Sequence, residues 1–207
     1  MFYAILGGPA AGKGTMSSIL CEELHIPHIS TGDILRKVSE TDLDIREKLS
    51  KGLYISDDIT TKLLEERLAQ PDCLNGCVID GYPRNLNQAH LLDNILEKLG
   101  KKLKASIELT VPNEIVFKRI LERQKCIKCG RIYGLDVPSK VKNICDDCGG
   151  ELIRRSDDTE ETLQIRINKY TIESKPILNY YKNKNILITI DASTNPYGIL
   201  KVIDFNN

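Results

Sequence analysis

Two groups of residues have types and spacings that can do chemistry. The first, Gly7-Gly8-Pro9-Ala10-Ala11-Gly12-Lys13, fits G-x-x-x-x-G-K and stands between an apolar strand pattern and a helical one. Backbone N–H groups of such a loop and of the helix start surround phosphate oxygens, and the helix dipole favours their charge. Lys13 would reach the outer phosphates. A glycine-rich turn with a solvated lysine is the plain alternative, and the flanking strand and helix argue against it. The second group is Cys126-x2-Cys129 and Cys145-x2-Cys148, with fifteen residues between the pairs. That spacing fits a four-thiolate zinc site, in which no coordination position stays open, so the metal would be structural. Reduced packing pairs or disulfides are the alternatives. Cys21, Cys73 and Cys77 fall outside the pattern and read as core residues.

Charged residues supply the rest. Arg119 and Arg123 are spaced i,i+4 on a predicted helix and so share a face. Arg155 precedes Ser156-Asp157-Asp158, and Arg166 follows one helical stretch later. Taken alone, such arginines are solvated helix charges. Asp80-Gly81-Tyr82-Pro83-Arg84 follows a short apolar strand, which puts Asp80 where an open parallel sheet presents its strand ends to ligand. Taken alone, Tyr82-Pro83 would be a surface turn, and Thr31 and Asp33 a helix cap. His25, His28 and His90 suggest no role.

The elements that must position these residues alternate. Strands are predicted over residues 2–7, 26–29, 77–80, 105–111 and 186–190. Helices are predicted over 13–24, 32–39, 43–51, from 57 to about 70, 87–99, 113–124 and from about 160, with Pro176 expected to kink the last one. A short terminal helix closes the pattern. Strand–helix alternation implies a parallel sheet covered by helices on both faces. Residues 125–157 break the rhythm and read as an insertion in that sheet.

Composition narrows the partners. Lys+Arg and Asp+Glu each total 29, so the chain lacks the broad positive field of a protein that grips nucleic acid, although a local basic site stays open. Residues 125–158 carry seven Lys+Arg against six Asp+Glu and no aromatic platform, which argues against a nucleic-acid-binding ribbon. No stretch approaches the roughly 20 apolar residues of a membrane span. The N-terminal Met1-Phe2-Tyr3-Ala4-Ile5-Leu6 has no basic segment before it, so no export signal is expected, and the cysteines should be in a reducing compartment.

In order, these segments resemble the nucleoside monophosphate kinases, and adenylate kinases in particular. Gly12-Lys13-Gly14-Thr15, with glycine between the lysine and the hydroxyl residue, is that family's form of the loop. Ile29-Ser30-Thr31-Gly32-Asp33-Ile34-Leu35-Arg36 and Gly52-Leu53-Tyr54-Ile55-Ser56-Asp57 are similar to its acceptor segments, and Asp80-Gly81-Tyr82-Pro83-Arg84 to its D-G-[FY]-P-R signature. The family usually has glycine where this chain has Ala10. In a left-handed conformation that alanine would cost about 1–2 kcal/mol.

The resemblance implies a P-loop three-layer α/β fold with a five-stranded parallel sheet. The core would comprise residues 1–124 and 159–207, with an AMP-binding segment at 31–59 and a zinc-binding lid at 125–158. It implies ATP contacts from Gly8 through Thr15, from Arg119 and Arg123, and from Ile132 and Tyr133. It implies AMP contacts from Thr31, Arg36, Leu53, Tyr54, Ile55, Gly81, Tyr82, Pro83, Arg84, Gln88, Arg155 and Arg166. Lys13, Arg84, Arg119, Arg123, Arg155 and Arg166 would be catalytic, Asp80 would hold Mg²⁺ through water, and Asp157 and Asp158 would secure the base of the lid. The activity implied is reversible, Mg²⁺-dependent transfer from ATP to AMP, giving two ADP. The expected form is a cytoplasmic monomer with neither nucleic acid nor membrane as partner. A pyrimidine nucleotide kinase, a GTP-using relative and a non-catalytic nucleotide-binding module remain alternatives. Asn85 and Asn87 keep the first open, the long insertion opposes it, and the matched arginines oppose the last.

Overall fold

The structure, a computed structural model, describes residues 1–193; the expected terminal helix lies outside the described residues. Strands β1 (Phe2–Gly7), β2 (His28–Ser30), β3 (Cys77–Asp80), β4 (Leu103–Thr110) and β8 (Leu187–Asp191) form one five-stranded sheet in the order β2-β3-β1-β4-β8. All four pairings are parallel.

Alternation along β1 shows why the sheet is buried on both faces. Phe2, Ala4 and Leu6 join Ile79, Leu64, Leu92, Leu96 and Tyr181 in one cluster. Tyr3 and Ile5 join Met16, Leu20, Val78 and Ile107 in the other. Successive strand side chains point to opposite faces, so a strand apolar at every position needs cover on both. Helix α1 (Lys13–Leu24) lends apolar residues to the second face, and α4 (Asp57–Leu68), α5 (Leu86–Lys98) and α7 (Glu160–Asn183) to the first. Helices α2 (Thr31–Val38) and α3 (Leu43–Ser50) form a small unit around Leu35, Ile45 and Ile55.

Helix α6 (Asn113–Glu122) ends one residue before Arg123, its C-cap, whose φ of −65° is still helical while its ψ of 128° turns the following chain away. Arg119 and Arg123 line one cavity, as their i,i+4 spacing predicts. Residues 125–157 stand outside the main sheet, as an insertion should, and have short elements of their own. Strands β5 (Gln124–Cys126), β6 (Ile132–Tyr133) and β7 (Leu152–Ile153) make a small antiparallel sheet, too short for a periodic signal in sequence. Helix α7 runs through Pro176 without interruption.

Candidate nucleotide site and metal centre

Gly12, with φ 87°, turns the chain out of β1 and into α1, so the helix N-terminus faces the loop that precedes it. Lys13 Nζ donates to the carbonyls of Gly7 at 2.9 Å and Gly8 at 2.7 Å, which ties the ammonium to the loop. Burial lowers the Lys13 pKa to about 8, with Arg84, Arg123 and Arg166 adding to the effect and Asp80 opposing it. Ala10 has φ 54°, the left-handed conformation that favours glycine, while its methyl packs against Val116, Ile120 and Leu163.

One cavity opens over this loop. Its lining includes Lys13, Arg36, Arg84, Arg119, Arg123, Arg155 and Arg166, seven cations, against Asp80, Asp136 and Asp157, three carboxylates. A chain of zero net charge thus concentrates its positive charge in one cleft. Pro9, Ala10, Ala11, Gly12, Gly14 and Thr15 also line it, as do Leu53, Tyr54, Ile55, Gly81, Pro83, Ile132 and Tyr133. Of the nucleotide-contact residues expected from the sequence, Gly8, Thr31, Tyr82 and Gln88 are not among the lining residues. Tyr82 is a core residue whose hydroxyl hydrogen-bonds with that of Thr61 at 2.8 Å. Thr31 donates through Oγ1 to the Asp80 carbonyl at 3.2 Å and joins α2 to the end of β3; the cap of α2 is Ser30. Gln88 accepts from the Arg84 backbone N–H at 2.7 Å and donates to Asp57 at 2.7 Å.

Five of the six arginines have named partners. Arg123 Nε donates to Asp158 Oδ2 at 2.8 Å, and the Asp158 side chain is fully withdrawn from solvent. Arg166 Nη2 stands 2.6 Å from Asp157 Oδ2, and Arg36 Nη1 4.0 Å from the same oxygen. Arg119 approaches Asp136 at 2.5 Å and donates to the Ala192 carbonyl at 2.7 Å. Arg84 donates through Nε to the Gly81 carbonyl at 2.7 Å and lies 4.8 Å from the centre of the Tyr54 ring. Burial, then the charges of Arg123 and Arg36, lower the Arg155 pKa to about 10. A buried guanidinium among others is poised to gain from an anion.

Several residues at the site carry no signal in the sequence. Asp136 meets Arg119, Tyr170 lies 3.5 Å from where a Cβ on Gly8 would stand, and Lys125 Nζ reaches Asp33 at 2.7 Å. His28 Nε2 is 3.5 Å from Asp80 Oδ2. Burial works to raise the Asp80 pKa, but the contact with His28 and the charge of Lys13 outweigh it and hold the carboxyl below its ordinary value. No periodicity marks these contacts, because each joins residues distant in the chain.

The four cysteines converge. Their sulfurs all lie within 4.8 Å of one another, with Cys126–Cys148 and Cys129–Cys145 at 3.5 Å each. Tetrahedral Zn–S bonds of about 2.3 Å set sulfurs about 3.8 Å apart, so the set fits that ion. Gly130 N donates to the Cys126 carbonyl at 3.1 Å and Gly149 N to that of Cys145 at 2.9 Å, closing two matching turns. A Cβ on Gly150 would stand 2.8 Å from Cys126 Sγ, so glycine is needed there. Tyr133 is within 3.4 Å of Cys145 Sγ through its hydroxyl, linking the metal set to a residue of the cleft.

No described helix is long and apolar enough to cross a membrane. The sequence model of the family described as adenylate kinase matches residues 5–186. A relative named adenylate kinase from Fervidobacterium nodosum is 44% identical over 208 residues, covering 98% of this chain and 95% of the relative. Adenylate kinases from Thermosipho melanesiensis (98% and 97% covered) and Archaeoglobus fulgidus (99% and 96%) are each 43% identical. With the family pattern matched over residues 5–186, a span that holds the phosphate loop and the seven cations of the cleft, the chain belongs to the adenylate kinase family of phosphotransferases.

Proposed function

We propose that this chain transfers the γ-phosphoryl group of ATP to AMP, reversibly and in line, giving two ADP. The observation that carries the reading is the convergence of Lys13 and six arginines on one cleft at the C-terminal ends of β1 and β3. The attacking group is a phosphate oxygen, largely ionised near neutral pH, so a general base has little to do. The problem is charge. Two polyphosphates must be brought together and a loose transition state stabilised, which needs positioned cations more than proton transfer. Planar, permanently charged arginine suits bidentate contact with phosphate oxygens.

In this reading the loop from Gly8 to Thr15 holds the donor phosphates, with Arg119, Arg123, Ile132 and Tyr133 on the donor side. Residues 31–59 with Gly81, Pro83 and Arg84 form the acceptor side, where Arg36 and Arg84 hold the AMP phosphate and Thr31 and Gln88 meet its base. Lys13, Arg84, Arg119, Arg123, Arg155 and Arg166 stabilise the transferred group. Asp80 is the carboxylate that would hold Mg²⁺ through its water shell. It sits half-buried at the strand end among the phosphate-loop residues, and Mg²⁺ prefers hard oxygen donors while keeping several waters. When bound, Mg²⁺ neutralises charge on the donor phosphates. Residues 125–158 act as a lid that excludes water, and zinc on the four thiolates staples a segment too short for a large core of its own. The described cleft is lined by this one chain, which supports a monomer, and the reading places the enzyme in the cytoplasm.

The decisive experiment is a coupled assay with Mg-ATP against AMP, CMP, UMP and GMP, repeated with GTP as donor. Transfer to AMP from ATP is expected to lead by at least tenfold in kcat/KM. No transfer to AMP, or a preference for a pyrimidine acceptor or for GTP, overturns the reading. Gel filtration tests the monomer.

A further inference from the structure

The N-terminus of α4 holds a polar constellation that the phosphate chemistry does not use. Asp57 accepts from Asn85 Nδ2 at 2.9 and 3.1 Å, from Asn87 Nδ2 at 2.8 Å and from Gln88 Nε2 at 2.7 Å. Three amides thus converge on one carboxylate two residues after Ile55, which lines the cleft. The preceding residue, Ser56, occupies the cap position of α4 but makes no side-chain cap hydrogen bond.

We propose that Asp57 is a positioning residue for base recognition: it locks the Gln88 amide in the orientation that accepts adenine and rejects a 6-oxopurine. The proposal rests on the reading of Gln88 as the residue that meets the acceptor base.

Donor and acceptor character fixes the orientation of the Gln88 amide. An ionised carboxylate can only accept, so Gln88 must present its NH2 to Asp57. A backbone N–H can only donate, so Gln88 must present its oxygen to Arg84 N, 2.7 Å away. Gln88 is 3% exposed, so water cannot rescue the flipped amide. Flipping would set oxygen against carboxylate and NH2 against N–H, exchanging two hydrogen bonds for two unsatisfied or repulsive contacts. Asn85 is fixed in the same way, since its Oδ1 accepts from Gln88 N at 2.8 Å while its NH2 meets Asp57. Burial works to raise the Asp57 pKa, but the amide hydrogen bonds and Lys169 bring it below its ordinary value, so the carboxylate is ionised at neutral pH.

The locked amide keeps one N–H and one oxygen lone pair for a ligand. Adenine offers an acceptor at N1 beside a donor at its 6-amino group. Hypoxanthine and guanine offer a donor at N1 beside an acceptor at O6, the reverse order, which needs the flipped amide. A site whose polar groups are fixed in one order rejects the reversed partner by leaving those groups unpaired. Asn85 and Asn87, which in sequence could have signalled a different base, are turned onto Asp57.

The test measures kcat/KM for AMP and for IMP, at saturating Mg-ATP, in the parent, Asp57→Asn, Asp57→Glu and Gln88→Leu enzymes. Asparagine at 57 can offer either an oxygen or an NH2, which permits both orientations of Gln88. The AMP:IMP ratio is expected to fall about tenfold or more in Asp57→Asn, through a higher KM for AMP and better use of IMP. The KM for Mg-ATP should stay within about twofold. Asp57→Glu keeps an acceptor-only group and should retain a higher ratio than Asp57→Asn. Because two acceptors are compared on one preparation, a partly folded sample does not change the ratio. An unchanged ratio in Asp57→Asn, or equal losses in the Asn and Glu variants, overturns the lock. If Gln88→Leu alone collapses the ratio, the reading of Gln88 stands and the lock fails; if Gln88→Leu leaves it unchanged, that reading fails as well.

Discussion

Lys125 and Asp33, 92 residues apart, meet at 2.7 Å and join β5, the strand that opens the insertion, to helix α2. The same Asp33 oxygen lies 2.6 Å from Arg36 Nη2, so one carboxylate serves a lysine of the insertion and an arginine of the cleft. Burial alone would raise the Asp33 pKa, but Arg36 and Lys125 hold it far below the ordinary carboxylate range. Both partners are partly solvated, which bounds the energy. Lys125→Met is expected to cost under about 1 kcal/mol, and less as salt screens the pair. Thermal unfolding at low and high NaCl checks this; a larger cost that salt does not reduce contradicts it.

A buried pair behaves otherwise. Asp158 is fully withdrawn from solvent against Arg123, and Arg155 already has its pKa lowered to about 10 by burial and by neighbouring cations. Asp158→Ala leaves the guanidinium groups without that counter-charge, at an expected cost of about 3 kcal/mol or more. For a chain of this length that lowers Tm by about 6 °C or more. Asp72→Ala, at the exposed Arg67–Asp72 pair, should cost under about 1 kcal/mol in the same denaturation series.

Lys13 gives a pH dependence of two signs. Its pKa is about 8 in the folded chain against an ordinary value of 10.5. Between those values the unfolded chain binds more protons, so this lysine's contribution to stability rises with pH across that window. In the proposed function, the charge it would offer to phosphate is lost over the same window. The kcat/KM for Mg-ATP should therefore decline above about pH 8 while the Tm contribution of Lys13 rises. Measuring both across pH 7–10 in the parent and in Lys13→Met checks it, since the variant should lose the stability component.

The thiolate set makes a separable prediction. Removing zinc with a chelator, or replacing Cys145 with serine, should lower thermal stability more than it alters turnover at 25 °C, because the four thiols lie outside the residues that line the cleft and meet it through Tyr133. Equal melting temperatures for metal-free and zinc-loaded protein contradict it.

Ala10 carries opposed terms. Its φ of 54° costs an L-residue about 1–2 kcal/mol, while its methyl, packed against Val116, Ile120 and Leu163, returns about 0.8 kcal/mol. Glycine at this position also loses more entropy on folding. Ala10→Gly should change stability by under about 1 kcal/mol, whereas β-branched Ala10→Val should cost about 2 kcal/mol or more. Urea unfolding of both variants checks the ordering.

The sheet, the phosphate loop and the thiolate set were legible in sequence because each is a local signal. Apolar runs such as Phe2–Leu6 and Cys77–Ile79 mark strands buried on both faces, Gly12-Lys13 marks a loop meeting a helix, and two C-x2-C pairs mark a metal. The family match likewise depends on the order of motifs along the chain. The tertiary structure alone decided which charges meet. A chain of zero net charge acquires a cleft of seven cations because strand ends and helix ends far apart in sequence converge there. It paired Asp158 with Arg123 and Lys125 with Asp33, placed His28 beside Asp80, and turned three amides onto Asp57. Electrostatic and hydrogen-bond partners are set by proximity in space, and no period of 2.0 or 3.6 residues encodes that.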